Sequence, residues 1–237
     1  MERYGIITEK NPREIVLLRG SGCFWRRCRF CDYHLDCSAD TDANANLNQS
    51  ILNQVTGRFG ILEVINSGSL PELDAATLEA IRACAVRCHL KQLHFEAHYH
   101  YVAQLPTWRA FFAQAGLTTK IKIGVETFDE DFRERVLCKG MGFVSPATLA
   151  QNFEECCLLF GLTGQTLTSM KRDIALGLEH FERLCINLMQ ANTAPLQPDA
   201  AVLRLFMEKL YPQCVANPRI DLLLNNTDFG VGGADHE

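Results

Sequence analysis

Short apolar runs alternate with longer amphipathic stretches along most of the chain. Glu14–Arg19 (EIVLLR), Ile61–Asn66 (ILEVIN), Leu93–His98 (LHFEAH), Lys120–Glu126 (KIKIGVE), Cys157–Leu162 (CLLFGL) and Cys185–Met189 (CINLM) are strand-length and bounded by turn residues, which predicts six strands. Ile220–Leu224 reads as a further strand or a closing segment. Helical spacing lies between them. Asp74 can cap a helix running towards Cys88, with Leu78, Ile81 and Ala85 on one face. Pro106–Ala115 is a short helix stopped by Gly116, and Asp129 can cap another that Gly140 ends. Ser145–Pro146 is a cap followed by proline at the first helical position, and Thr168 or Ser169 can open a long helix to Arg183. Such alternation predicts an α/β fold with a parallel sheet of βαβ units. Six units suit a partial (β/α)6 TIM-like barrel, since a complete barrel takes about 250 residues. An open doubly wound sheet is the alternative. The expectation is one domain over 1–237, with a core at about 14–190 and a segment 191–237 closing the site.

Composition narrows the function. The chain has 237 residues and a net charge of −5, which argues against a direct grip on nucleic acid, a task needing clustered Lys and Arg. A small, weakly charged substrate fits better. No apolar run reaches the ~20 residues that span a bilayer, and the N-terminus carries acidic residues without an apolar signal core. The expected location is cytoplasmic. Eleven cysteines, an odd number without regular disulfide spacing, then read as reduced thiols. Cys84, Cys88, Cys156 and Cys157 read as buried structural thiols.

One group of cysteines is spaced as a ligand set. Directly after the first strand, GSGCFWRRCRFCDYH places Cys23, Cys28 and Cys31 in a C-x4-C-x2-C pattern. Three thiolates on a short loop can hold three irons of a cubane and leave the fourth open. Gly20 and Gly22 permit a tight turn, and Arg26, Arg27 and Arg29 can offset the negative charge. The competing reading is a zinc site completed by Cys37 or His34.

The loop resembles the cluster loop of the radical S-adenosylmethionine (SAM) superfamily, whose common form is one residue shorter between the first two cysteines. The resemblance implies a [4Fe–4S] cluster on Cys23, Cys28 and Cys31, with SAM on the open iron and Phe30 packing on its adenine. Asn66-Ser-Gly-Ser69 stands where the superfamily has Gly-Gly-Glu, so Ser67, Gly68 and Ser69 are implied at the methionine amino group although the Glu is absent. IGVETFD resembles the segment reaching the SAM ribose, a role implied for Glu126, with Arg133 or Arg135 as partners for the carboxylate. FGLTGQT resembles the turn passing the adenine, at Leu162. The superfamily chemistry implied is reductive cleavage of SAM and hydrogen abstraction by a 5′-deoxyadenosyl radical, with the electron delivered by a donor such as flavodoxin or ferredoxin.

Substrate residues come from chemistry alone. His94, Glu96, His98 and His100 alternate with apolar or aromatic residues, so a strand there puts them on one face, lining a wet cavity or a solvated edge. His94, Glu96 and His98 could also ligate a metal. Asn187, Gln190, Asn192, Thr193 and the segment Asn225–Phe229 offer amides, a carboxylate and an aromatic, which suit a flat heterocycle. Asp228 or Glu96 can accept bonds from a guanine-like edge. Chain length and the run LLRGSGCFWRRCRFCDYHLD most resemble the small queuine lyases of the superfamily. That resemblance implies cleavage of queuine to 7-aminomethyl-7-deazaguanine (preQ1) in queuosine salvage. The alternatives are a small radical SAM enzyme acting on another purine-like metabolite, or a non-catalytic iron–sulfur or zinc protein.

Overall fold

The computed structural model describes residues 2–224. The chain forms two compact units, Met1–Phe24 with Tyr33–Lys122, and Trp25–Asp32 with Ile123–Glu237.

In the first unit, β1 (Tyr4–Ile7) runs antiparallel to β2 (Arg13–Leu18). β2 then pairs in parallel with β3 (Ile61–Asn66), β3 with β4 (Gln92–Glu96), and β4 with the start of β5 (Thr118–Glu126). The connections are α1 (Thr41–Leu52), α2 (Ala75–Arg87) and α3 (Leu105–Ala113). Every residue of β2 is buried, as expected of a parallel strand covered on both faces. Val16, Leu18, Leu62, Val64, Leu93 and Phe95 pack with Leu52, Leu78, Ile81 and Phe112 of the helices. Asp74 caps α2 as expected: its carboxylate accepts from the Thr77 amide at 2.7 Å and the Thr77 hydroxyl at 2.8 Å.

The second unit holds the end of β5, a short α4 (Pro146–Leu149), β6 (Glu155–Phe160), α5 (Leu167–His180), β7 (Arg183–Leu188), α6 (Ala200–Lys209), α7 (Tyr211–Ala216) and β8 (Ile220–Leu223). β6, β7 and β8 are parallel. Ser145 caps α4, as its spacing before proline predicts. Within each unit the paired strands neighbour one another in chain order.

Several expectations shift. β4 ends at Glu96, because the Ala97 amide still bonds to the Lys122 carbonyl but His98 turns away to cap a short 3-10 helix, Tyr99–Gln104. His94 and Glu96 therefore share a strand face, whereas His98 and His100 do not. β6 ends at Phe160, which leaves Leu162 in the following turn. The cap of α5 is Thr166, whose hydroxyl accepts from the Ser169 amide at 3.1 Å. Asp129 opens a single π-helical turn, Phe132–Val136, rather than a full helix to Gly140. Cys84, Cys156 and Cys157 are buried, whereas Cys88 is half-buried.

Candidate active site

Cys23 follows β2 on a loop that the first unit holds through one carboxylate. Glu72 Oε1 accepts from the Phe24 amide at 2.6 Å and from the Tyr101 hydroxyl at 3.0 Å, while Oε2 accepts from the Ser69 amide. Burial and Glu72 together push the Tyr101 phenol above its ordinary pKa and keep it a donor. A Cβ on Gly68 would stand 2.1 Å from Glu72 Oε2 and 3.3 Å from the Cys23 Cα, so a larger residue there would displace the Glu72 carboxylate. The Ser69 hydroxyl accepts from the His98 amide at 3.0 Å, and the Ser67 hydroxyl donates to Asp36 at 3.2 Å. Cys23, Ser67, Gly68, Ser69 and His98 are thus drawn into one neighbourhood at the ends of β2, β3 and β4. Glu72 was not anticipated. Its signal was the capping-box spacing of Ser69 and Glu72.

Glu96 closes β4 with its side chain about one-third exposed, 3.6 Å from Lys122 Nζ. Lys122 and Arg13 both pair with the buried Glu63. Burial alone would raise the Glu63 pKa; Lys122, Arg13 and His94 outweigh it and hold the carboxyl well below its usual range.

In the second unit, Cys28, Phe30 and Cys31 lie on a segment stitched to its surroundings. The Arg29 amide donates to the Leu137 carbonyl at 3.0 Å, the Leu196 amide to the Arg29 carbonyl at 2.8 Å, and Asn192 Nδ2 to the Phe30 carbonyl at 2.9 Å. Phe30 packs against the buried cluster of Leu137, Leu159, Leu162 and Met189. The turn holding Leu162 is built on Gln165, whose Oε1 accepts from the Gly161 and Leu162 amides at 3.0 Å each.

Glu126 ends β5 with φ +68, a left-handed conformation that few carboxylate residues adopt. Its Oε1 accepts from Lys139 Nζ at 2.7 Å. Lys139 is the second unanticipated residue, and no spacing marks it. Its ammonium lies 5.5 Å from the Phe30 ring centre. Burial works against its charge, but Glu126 and the thiols of Cys28 and Cys31 outweigh that and lift its pKa well above the ordinary lysine value. A half-buried cation held against Glu126 and the Phe30 ring, between Cys28 and Cys31 in sequence, suits an anionic thiolate-held cluster on that segment. Arg26, Arg27 and Arg29 are exposed. Arg133 is fully buried, bonding the Gly142 carbonyl at 2.8 Å and Glu134 at 3.0 Å, while Arg135 is exposed and paired with Asp131. Asn187 is half-buried on β7, its Oδ1 3.7 Å from the Cys185 thiol. Asp228 and the segment 225–229 lie outside the described residues.

Among the described residues, no three His, Cys, Asp or Glu side chains converge on a point that could hold a single metal ion. His94, Glu96 and His98 likewise form no such group.

The chain is similar to a solved structure of queuine lyase from Clostridium spiroforme bound to SAM and queuine, at 37% identity and a TM-score of 0.92, over 98% of this chain and 100% of that one. It also resembles methylornithine synthase at 12% identity and a TM-score of 0.53, over 88% of this chain and 63% of that one, a likeness of fold alone. No family model and no curated protein matches the chain.

Parallel strands in chain order, with three cysteines on the loop after the first of them, define a radical SAM enzyme with a partial TIM-like barrel fold. Within that class the chain belongs to the queuine lyase family.

Proposed function

We propose that this enzyme cleaves queuine to preQ1, by hydrogen abstraction from the cyclopentenediol portion and lysis of its carbon–nitrogen bond, in salvage of a queuosine precursor. The observation that carries the reading is 37% identity over 98% of the chain to a queuine lyase, together with the C-x4-C-x2-C loop. Cys23, Cys28 and Cys31 would hold the [4Fe–4S] cluster. When bound, cluster and SAM supply a 5′-deoxyadenosyl radical; the protein's part is to bind, orient and exclude water.

The residues divide that work. Ser67, Gly68 and Ser69 offer backbone and hydroxyl groups to the methionine end of SAM, beside Cys23. Glu126 offers a carboxylate to the ribose, and Phe30 with Leu162 gives the adenine an apolar bed. Glu96 would accept from two donors on the edge of the deazaguanine, since one carboxylate spans a pair of N–H groups. His98, Asn187 and Asp228 supply further polar contacts to the substrate. The electron would come from a small carrier such as flavodoxin or ferredoxin, in the cytoplasm.

Anaerobically reconstituted protein, given a strong reductant, should convert SAM to 5′-deoxyadenosine and methionine, and added queuine to preQ1. Cleavage of SAM with queuine left intact overturns the substrate and leaves the radical SAM class in place.

A further inference from the structure

The cluster loop carries a tryptophan that the reaction does not call for, and its contacts are specific. The Trp25 indole Nε1 donates to the Cys138 carbonyl at 2.7 Å. Its ring lies flat against Gly140: a Cβ there would stand 2.2 Å from the indole, and Gly140 is held at φ +72. Arg27 stacks on the ring, 5.1 Å from its centre. Trp25 therefore grips the residues on either side of Lys139, whose ammonium meets Glu126 at 2.7 Å. From behind, Glu134 accepts from the Gly140 and Met141 amides at 2.9 and 3.2 Å.

Backbone strain collects at the same place. Five non-glycine residues among those described have positive φ: Lys10, Arg26, His89, Glu126 and Cys138. Arg26 adjoins Trp25, Cys138 adjoins Lys139, and Glu126 is the lysine's partner. Left-handed backbone at residues other than glycine persists only where surrounding contacts over-determine it, and it gathers at working sites.

We propose that Trp25 is a positioning residue, a latch that holds the Cys138–Gly140 turn so that the Lys139 side chain stays against Glu126 and the Phe30 ring of the cluster loop. The turn itself has no helix or strand to fix it. A cation held there favours the more negative, reduced state of a bound cluster and so raises its reduction potential. It also keeps Glu126 aimed for SAM. The inference rests on the loop's being a cluster loop, not on the identity of the substrate.

The test compares Trp25→Ala, Trp25→Phe, Lys139→Met and the double variant Trp25→Ala/Lys139→Met with the native enzyme, all reconstituted. Iron and sulfide content come first, then the cluster midpoint potential by EPR-monitored titration, SAM affinity by equilibrium binding, and amide hydrogen exchange across 137–141 in cluster-free protein. Trp25→Ala should lower the potential as far as Lys139→Met does, weaken SAM binding by about tenfold as expected for one lost charge-assisted bond, and speed exchange across the turn. The double variant should shift no further than either single one, because both remove the same interaction. Trp25→Phe keeps the ring on Gly140 and should recover part of the effect. Native potential and exchange in Trp25→Ala beside an altered Lys139→Met overturn the latch, and so do shifts that add in the double variant. A native protein that takes up no iron overturns the cluster reading and the latch together, which full iron content with an unmoved potential does not.

Discussion

A carboxylate buried between two cations changes stability by how it responds to acid. Glu63 is almost inaccessible and pairs with Arg13 and Lys122, which depress its pKa below the ordinary value of 4.5. A depressed carboxylate contributes stability that is present above its unfolded pKa and is lost as pH falls through the folded one. Urea unfolding should therefore show stability falling from about pH 4.5 downward. Glu63→Gln should flatten that limb and remove about 3–5 kcal/mol at neutral pH, because Arg13 and Lys122 are left buried without their shared anion. The cysteines separate by role at the same scale. Alanine at Cys23, Cys28 or Cys31 should abolish SAM cleavage, since the cluster loses an anchor. Cys84→Ala should leave cleavage near native levels: that thiol is buried beside the Leu52 carbonyl, its pKa pushed up to about 12, and it acts as core. Loss of cleavage from Cys84→Ala and Cys23→Ala alike would mean that folding, not ligation, is being read. Glu126→Ala should weaken SAM binding by ~1–3 kcal/mol if its carboxylate accepts from ribose hydroxyls.

The elements most legible in the sequence are those whose ends carry side-chain caps. Asp74 and Ser145 were readable because a short oxygen-bearing residue before an apolar-periodic stretch meets the free amides of a helix start. Asp74→Ala should cost about 1 kcal/mol of stability with SAM cleavage unchanged; equal loss of both would place α2 in the site instead. α1 was invisible for a physical reason. Two of its buried residues are Asn44 and Asn48, which face the end of β2 and bond to Arg19: Asn48 Oδ1 accepts from the Arg19 amide and its Nδ2 donates to the Arg19 carbonyl, both at 2.8 Å. A helix whose first two buried positions are amides has only Ile51 and Leu52 as buried apolar residues, too few to mark its inner face. β4 misled in the opposite sense, because alternation continued past the last ladder bond and gave His98 and His100 a strand face that the backbone abandons at Glu96. Among the residues expected at the site, the cysteines and the Ser67–Ser69 turn are local in sequence, which makes them candidates from spacing alone. Lys139 is no such candidate, since it reaches Glu126 only by way of a strained turn thirteen residues on, and that turn depends on Trp25 far upstream.

The whole chain should report ligand binding through its melting temperature. A ligand that binds only folded protein stabilises it by RT ln(1 + [L]/Kd), about 2.7 kcal/mol at a hundred times Kd. In a chain of this size each kcal/mol moves the midpoint by roughly 2–4 °C, so SAM at that excess should raise it by about 5–10 °C. The rise requires the cluster if SAM is held by the open iron, so Cys28→Ala should melt at one temperature with and without SAM. Queuine added to the SAM complex, with no reductant so that nothing turns over, should add a second increment that Glu96→Ala reduces. The Glu96 pair with Lys122 makes that variant informative: Lys122 keeps Glu63 as its buried partner, so losing Glu96 should remove little of the ligand-free stability while removing the contact to the base. A Glu96→Ala protein whose ligand-free midpoint is native and whose queuine increment is undiminished would move recognition of the base edge away from β4.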